Sequence, residues 1–328
     1  MTSLLSIRNL NLGYFNGTEK NLLFENLDLD LNAGELVCFM GPNGIGKSTL
    51  IRTLAGLQKP LSGSINTEKK IAVVLTDRIH TYNMTVRDLV TFGRYPYLNW
   101  NIELNQEDHS IIDRSLAQVH IENLADKNIE ELSDGQLQMT MIARALAQET
   151  EILLLDEPTA HLDLNNRVEI MNLLRHLART TNKAILIATH ELDLALQTAD
   201  KIWLATSNKK ILTGLPEDLV LDGSFDEVFQ LKGFDLKTGK MSHEAHRKIS
   251  VQLIGEGYEY LWTKNALERS GYTITTDLPT GQADAEIKMT LMKEGDKTVW
   301  KFTSAGSAQS YGTLTQVLVA LKEMRGGK

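Results

Sequence analysis

With 328 residues, 42% apolar and 23% charged, the chain is too long for one comfortable core and too apolar for disorder, so one large domain plus a smaller one is expected. The net charge of -8, with as many basic as acidic residues from Ile249 onward, excludes the basic footprint of a nucleic-acid binder. No apolar run is long enough to cross a bilayer and no basic-then-apolar leader opens the chain, so a cytosolic protein that spans nothing is expected; the single cysteine, Cys38, excludes an internal disulfide.

The N-terminal stretch reads as short strands and turns, among them residues 6–12 and 27–31, leading into a strand over 36–40 that carries Cys38 as a buried thiol without a chemical role. A glycine-rich turn follows, then a helix over 47–57. Residues 85–131 look helical and rich in polar side chains, and the pattern breaks at Leu132-Ser133-Asp134-Gly135 before a second helix through Ala147. Residues 152–155 and 184–188 are uninterrupted apolar runs, as expected of strands buried on both faces, with a helix between them, so a parallel sheet flanked by helices is implied. Beyond Gly223 the pattern weakens, and residues 225–247 read as the end of the first domain plus a linker. A β-α-β-β-α unit follows: strand 249–254, helix 258–270, strands near 284–291 and 298–303, and helix 313–324. Its helices have apolar faces at Tyr258, Leu261, Trp262 and Ala266, and at Leu314, Val317, Leu318 and Leu321.

Gly41-Pro42-Asn43-Gly44-Ile45-Gly46-Lys47-Ser48 fits the pattern G-x-x-x-x-G-K-[ST] between a strand and a helix. Glycines let the backbone curl so that successive N–H groups face phosphate oxygens, and the helix that follows adds its positive end. Lys47 is placed to hold the β- and γ-phosphates, and Ser48 to offer a hydroxyl to Mg²⁺. The candidate nucleotide residues here are Gly41, Asn43, Gly44, Gly46, Lys47, Ser48 and the adjoining Thr49. Ile152-Leu153-Leu154-Leu155-Asp156-Glu157-Pro158 is an apolar strand ending in two carboxylates, which puts Asp156 at a sheet edge to fix Mg²⁺ and Glu157 where it can deprotonate a water. An acidic turn after a strand is the plainer reading of that pair; the phosphate loop upstream weighs against it.

Over residues 1–240 the sequence resembles the ATP-binding cassette (ABC) family in several motifs and in their order. Tyr14 matches the aromatic that stacks on adenine, Leu132-Ser133-Asp134-Gly135-Gln136 looks like the signature motif, Ala160-His161-Leu162-Asp163 like the D-loop, and Ala188-Thr189-His190 like the switch histidine. Taken singly, Ser133 is an ordinary helix cap and His190 a solvated strand end. Together they imply a P-loop NTPase (ABC ATPase) core of α/β class with antiparallel β and α-helical subdomains, and a small C-terminal α+β domain. The expected limits are 1–240 for the ATPase, 241–248 for a linker and 249–328 for an appendage that dimerises or regulates.

The resemblance further implies that ATP and Mg²⁺ bind, with Ser48, Thr76 and Asp156 toward the metal and Ser133, Gly135, Gln136 and Asp163 toward the nucleotide of a second copy in a head-to-tail homodimer. Glu157 is then the base and His190 the γ-phosphate contact. Two departures stand out: Thr76, with a shorter reach, occupies the usual Q-loop glutamine position, and Asp134 replaces a glycine near the incoming γ-phosphate, where an acid is expected to slow closure. The segment Thr85-Val86-Arg87-Asp88-Leu89-Val90-Thr91-Phe92-Gly93-Arg94-Tyr95-Pro96-Tyr97 looks like that of importers for iron-siderophore, haem or cobalamin, where a permease docks. The expected partners are integral-membrane permease subunits and, indirectly, a substrate-binding protein, with no nucleic acid; the location is cytoplasmic, at the inner face of the cell membrane. Two other readings stay open: a soluble ABC ATPase acting on nucleic acid or ribosomes, whose usual coiled coils, zinc cysteines or second cassette do not occur here, and a ligand-regulated ATPase switch.

Overall fold

Long stretches of alternating apolar residues form the strands β1 (Ser3–Asn16) and β2 (Glu19–Asn32) in the computed structural model. It describes residues 2–17, 19–76, 83–98, 103–230, 234–236, 240–241, 249–275, 287–294, 297–304 and 307–323. Both strands run well past the expected 6–12 and 27–31. The reason lies in two asparagines with positive φ, Asn9 (47°) and Asn26 (49°), which sit at the interruptions in each alternating pattern. Buried residues fall at Leu5 and Ile7, then resume at Leu10 and Leu12; on β2 they fall at Phe24, then at Leu27, Leu29 and Leu31. The extra residue resets the phase, as a β-bulge does.

Chain contacts divide the protein into two compact units, Met1–Gln230 and Leu231–Lys328. In the first, β3 (Leu36–Met40) leads into α1 (Lys47–Leu54), followed by β4 (Ser62–Asn66) and β5 (Ile71–Val74). The helix stops at Leu54 rather than at residue 57 because Gly56 turns left-handed (φ 74°) and the amides of Leu57 and Gln58 fold back onto the Arg52 carbonyl. A helical region follows, with α2 (Val86–Thr91), a 3-10 turn at Phe92–Tyr97, α3 (Gln106–Gln118) and α4 (Asp134–Leu146). The remaining elements are β6 (Ile152–Asp156), α5 (Leu164–Thr181), β7 (Ala184–Ala188), α6 (Leu192–Thr198), β8 (Lys201–Ala205), β9 (Ile211–Gly214), α7 (Pro216–Leu221) and α8 (Ser224–Phe229).

Strands β2-β1-β4 make an antiparallel sheet, and β5-β6-β7-β3-β8-β9 make a second one that is parallel except for β9. β3, β6 and β7 are buried at every residue, which is why they read as uninterrupted apolar runs. Leu5, Ile7, Phe24, Val37, Phe39, Leu50, Ile152 and Leu186 belong to one core cluster that joins the two sheets and α1. Each such side chain, taken wholly out of water, contributes roughly 1.5–3 kcal/mol. The register then fixes the site: Phe39 and Asp156 both pair with Ala188, so the chain leaves β3, β6 and β7 along one sheet edge.

The second unit holds a two-residue ribbon, β10 (Phe234–Asp235) with β11 (Lys240–Met241), and then β12 (Ser250–Ile254), α9 (Gly257–Arg269), β13 (Thr273–Thr275), β14 (Ile287–Glu294), β15 (Lys297–Ser304), β16 (Ser307–Tyr311) and α10 (Leu314–Glu323). The sheet order is β13-β12-β14-β15-β16. The sequence pattern lacks β13 and β16 because one is very short and the other, Ser-Ala-Gln-Ser-Tyr, is a polar edge strand without apolar alternation. Of the expected strand 284–291, residues 284–286 lie outside the described residues, as do 242–248 of the expected linker and Met324.

On α10, Leu314, Val317, Leu318 and Leu321 pack into the core as their spacing predicts. On α9 only Ala266 of the expected face is buried, with Thr263 and Leu267, while Tyr258 (81% exposed) and Trp262 (69%) face solvent with Leu261. The helix is rotated so that the buried Thr263 hydroxyl meets the Trp300 indole N–H at 2.8 Å, which pairs a polar group that would otherwise be orphaned.

Cys38 is fully buried, and burial pushes its thiol up to about 12. A thiol reagent at about pH 8 is therefore expected to leave the native chain unlabelled and to label one site per chain after denaturation in urea. Labelling of the native protein at a comparable rate would contradict the placement of β3.

Candidate functional site

The loop after β3 bends where only glycine is comfortable: Gly44 has φ 78° and Gly46, the N-cap of α1, has φ 115°. An added Cβ at Gly46 would also meet Leu23 of β2 at 2.9 Å. Lys47 opens α1 and is 7% exposed; its ammonium donates to the Gly41 carbonyl at 3.0 Å and lies 3.9 Å from Glu157 Oε1. Burial pushes Lys47 down from the usual lysine range, and the carboxylates of Glu157 and Asp156 oppose that shift. Pro42, Asn43 and Gly44 are exposed, whereas Ser48 and Thr49 are half-buried in the first turn of α1.

Asp156 ends β6, 3% exposed, and burial raises its carboxyl above the ordinary range; the Ser48 hydroxyl, the charges of Arg52 and Lys47, and the Thr76 hydroxyl pull it back. Among the described residues, Asp156 Oδ1 has no hydrogen-bond donor. A buried carboxylate oxygen without a donor, beside the Ser48 hydroxyl, is a donor set of hard oxygens, which fits a divalent cation such as Mg²⁺ shared with a phosphate. Thr76, expected as a metal ligand, donates its hydroxyl to the Asp156 backbone carbonyl at 2.9 Å, so it also braces the end of β6.

Glu157 turns back over this edge with φ 50°, a left-handed backbone that costs a non-glycine residue on the order of 1–3 kcal/mol and is characteristic of functional positions. Its amide donates to the Ala188 carbonyl at 2.8 Å, and its Oε2 lies 2.6 Å from His190 Nδ1. The strands thus bring Lys47, Ser48, Asp156, Glu157 and His190 together at one edge. Tyr14 stands near the end of β1, 43% exposed, its hydroxyl accepting from Asn21 Nδ2 at 2.8 Å; the adjoining Gly13 carbonyl accepts from Gln58 just past α1.

The signature residues serve first as a helix start. Ser133 caps α4 by accepting from the Gln136 amide, and Gln136 Oε1 accepts from the Ser133 amide at 3.1 Å, so both side chains close a capping box. Ser133 and Asp134 are exposed, and Gly135 is buried against Asn166 of α5, where an added Cβ would fall 2.8 Å from its Cγ. Asp163 is exposed and caps α5 through the Asn166 amide at 2.9 Å, while the Asn166 side chain donates to its other oxygen at 3.1 Å. The two departures from the family pattern, Thr76 and Asp134, line one cavity of about 70 Å³ together with Glu157 and His161.

Asn166, Arg167, Glu191 and Arg52 are not among the residues the sequence singles out. Asn166 and Arg167 carry a signal in retrospect, since they stand three and four places after a capping aspartate, where side chains return to the cap. Arg52 carries none, because its influence on Asp156 depends on the packing of α1 against β6. In the segment 85–97, Thr85 and Asp88 form a capping box, and Arg94, 5% exposed, binds Asp108 at 2.9 Å, Glu149 at 3.0 Å and the Ala147 carbonyl at 2.9 Å. That network holds Phe92 and Tyr95 at the surface, 36% and 48% exposed.

Comparison with known proteins adds to this geometry. Residues 24–160 match the family described as ABC transporter, and residues 247–322 match the Iron ABC transporter C-terminal domain. An uncharacterized ABC transporter ATP-binding protein of Methanocaldococcus jannaschii is 41% identical over 242 residues, covering 70% of this chain and 82% of its own. A probable siderophore transport system ATP-binding protein of Bacillus subtilis is 36% identical over 243 residues, covering 70% and 86%. A dimeric structure of a bacterial ABC transporter cassette superposes with a TM-score of 0.54 at 27% identity, covering 61% of this chain and 93% of that one.

Two outcomes follow from the geometry. A carboxyl whose folded pKa is raised opposes folding once ionised, and that opposition fades as pH falls through the folded pKa. Asp156→Asn is therefore expected to melt no lower than wild type at neutral pH without metal, yet to lose the magnesium-dependent part of nucleotide binding in a fluorescence titration; a lower melting point would refute the burial argument. Gly135→Ala is expected to push the Asn166 amide off Asp163 and weaken ATP-driven self-association several-fold, as read by analytical ultracentrifugation. Unchanged association would show that this contact is slack.

Proposed function

This chain belongs to the ATP-binding subunits of ABC transporters, and we propose that it powers the import of an iron-siderophore, haem or cobalamin, with Glu157 as the catalytic base and His190 as its γ-phosphate partner. As a member of that family it binds nucleotide and hydrolyses ATP. The observation that carries the site assignment is the convergence of Lys47, Asp156, Glu157 and His190 at one sheet edge, with Glu157 held 2.6 Å from the histidine ring. The cargo class is supported by the siderophore transport relative and by the match of residues 247–322 to a domain named for iron transporters.

In this reading the amides of the loop over 41–46 and the N-terminus of α1 receive the phosphates, and Lys47 supplies a buried cation to them. Ser48 and Asp156, with Thr76 beside them, hold Mg²⁺, which neutralises phosphate charge when bound. Glu157 orients and deprotonates the attacking water, and its strained backbone keeps the carboxylate aimed across the edge. Ser133, Gly135, Gln136 and Asp163 act on the nucleotide of a second copy: a helix start carries a partial positive charge that favours an anion, and ATP then joins two chains head to tail. Loss of the γ-phosphate releases them, and that movement is passed to a permease through the surface of residues 85–97.

No helix among the described residues is long and apolar enough to cross a membrane, so a permease supplies the transmembrane path and holds this subunit at the inner face. A substrate-binding protein on the other side would deliver the cargo.

Glu157→Gln is expected to keep ATP binding but lower phosphate release by at least about a hundredfold, trapping an ATP-bound dimer on size exclusion. In cells lacking the native subunit, wild type should restore uptake of labelled ferric siderophore, haem or cobalamin, and Glu157→Gln should not. Undiminished turnover in the variant would remove Glu157 as base; failure of wild type to restore any of the three would remove the cargo class.

A further inference from the structure

His190 has a carboxylate beside each ring nitrogen, one within hydrogen-bond distance and one just beyond it. Nδ1 lies 2.6 Å from Glu157 Oε2, and Nε2 lies 3.6 Å from Glu191 Oε1. Packing does not fix this ring, because its side chain is 51% exposed. Glu191 is the better anchored partner. Its side chain is 16% exposed and its amide donates to the hydroxyl of Thr189, which is fully buried.

Glu191 is in turn held from α5. Arg167 Nη1 donates to Glu191 Oε1 at 2.8 Å, and Nε of the same guanidinium donates to the Leu162 carbonyl at 2.7 Å. Leu162 is buried and precedes Asp163, the cap of α5. A planar, permanently charged fork therefore adds a tie between two neighbouring loops: the one from Glu157 to Asp163 after β6, and the one at His190 and Glu191 after β7. A lysine could satisfy either acceptor but not both in that fixed geometry.

We infer that Arg167, acting through Glu191, is a positioning residue that sets His190 against Glu157 and makes that contact depend on the conformation of the loop bearing Asp163. The inference rests on the reading of Glu157 and His190 as the catalytic pair. It adds a route within one chain: displacement of the loop by an approaching second copy moves the Leu162 carbonyl, Arg167 follows, and Glu191 releases or restores the histidine. Asn166, one residue earlier on the same turn, binds Asp163 and lies under Gly135, so the start of α4 rests against the same helix turn.

The test uses the full chain with Arg167→Gln, Glu191→Gln and the double substitution, assayed for ATP turnover beside wild type. Each single change is expected to lower kcat on the order of tenfold while KM for ATP moves less than about twofold, and the double to be no lower than the lower single. On a Glu157→Gln background, the ATP-trapped dimer should still form in all three. A purely structural role would lower melting temperature and dimer yield without separating kcat from KM. Should Arg167→Gln melt below the assay temperature, Arg167→Lys is read by the same split, since it keeps the charge and loses the fork. Single variants with kcat within about twofold of wild type, or losses that multiply in the double, overturn the inference while leaving the catalytic reading intact. A wild-type chain that releases no phosphate overturns both.

Discussion

The parallel pairing of β6, β7 and β3 is the constraint on which the site depends. Because Asp156 and Phe39 both pair with Ala188, three chain segments leave the sheet at the same level, and whatever follows each strand must meet the others. One segment is the glycine loop with Lys47, another the carboxylates Asp156 and Glu157, and the third His190. A shift of one residue in either pairing would turn every buried side chain of that strand toward the opposite face and misalign the three ends. The buried aliphatic side chains of these strands are thus what makes the chemistry possible, although none of them takes part in it.

That edge is electrostatically expensive. Asp156 is buried with its carboxyl pushed toward the neutral form, and Lys47 is buried with its ammonium pushed the same way. Neither group finds full compensation within the chain, and Glu157 adds a strained backbone beside them. Such an arrangement is costly by itself, and it is the kind that a ligand bringing phosphate oxygens and a cation, as proposed above, would relieve. Binding and folding are therefore linked at the same few residues.

The helical segments contribute a different kind of order. The caps Asn105, Ser133 and Asp163 fix where α3, α4 and α5 begin, and in the proposed reading those of α4 and α5 also face the nucleotide of a second copy. Local capping needs only neighbours in sequence, so the positions of these starts are set locally even though the helices need the fold for stability. Their relation to the catalytic edge does need the fold, through Gly135 against Asn166 and Arg167 between Leu162 and Glu191.

By itself the sequence determined the glycine loop, the apolar strand ending in two carboxylates and the helix cap at Ser133, because each is written in adjacent residues or in a short period. It also determined the class, through the order of the motifs. It could not determine the bulges at Asn9 and Asn26, since a left-handed residue is visible only once two strands are paired. Nor could it reveal the rotation of α9, which leaves Tyr258 and Trp262 outward and brings Thr263 under the buried indole N–H of Trp300, a residue far along the chain. Arg167, Glu191 and Arg52 belong to the tertiary structure for the same reason: hydrogen bonds and charges act through space, and their partners lie on different elements that only the packed sheet brings within reach.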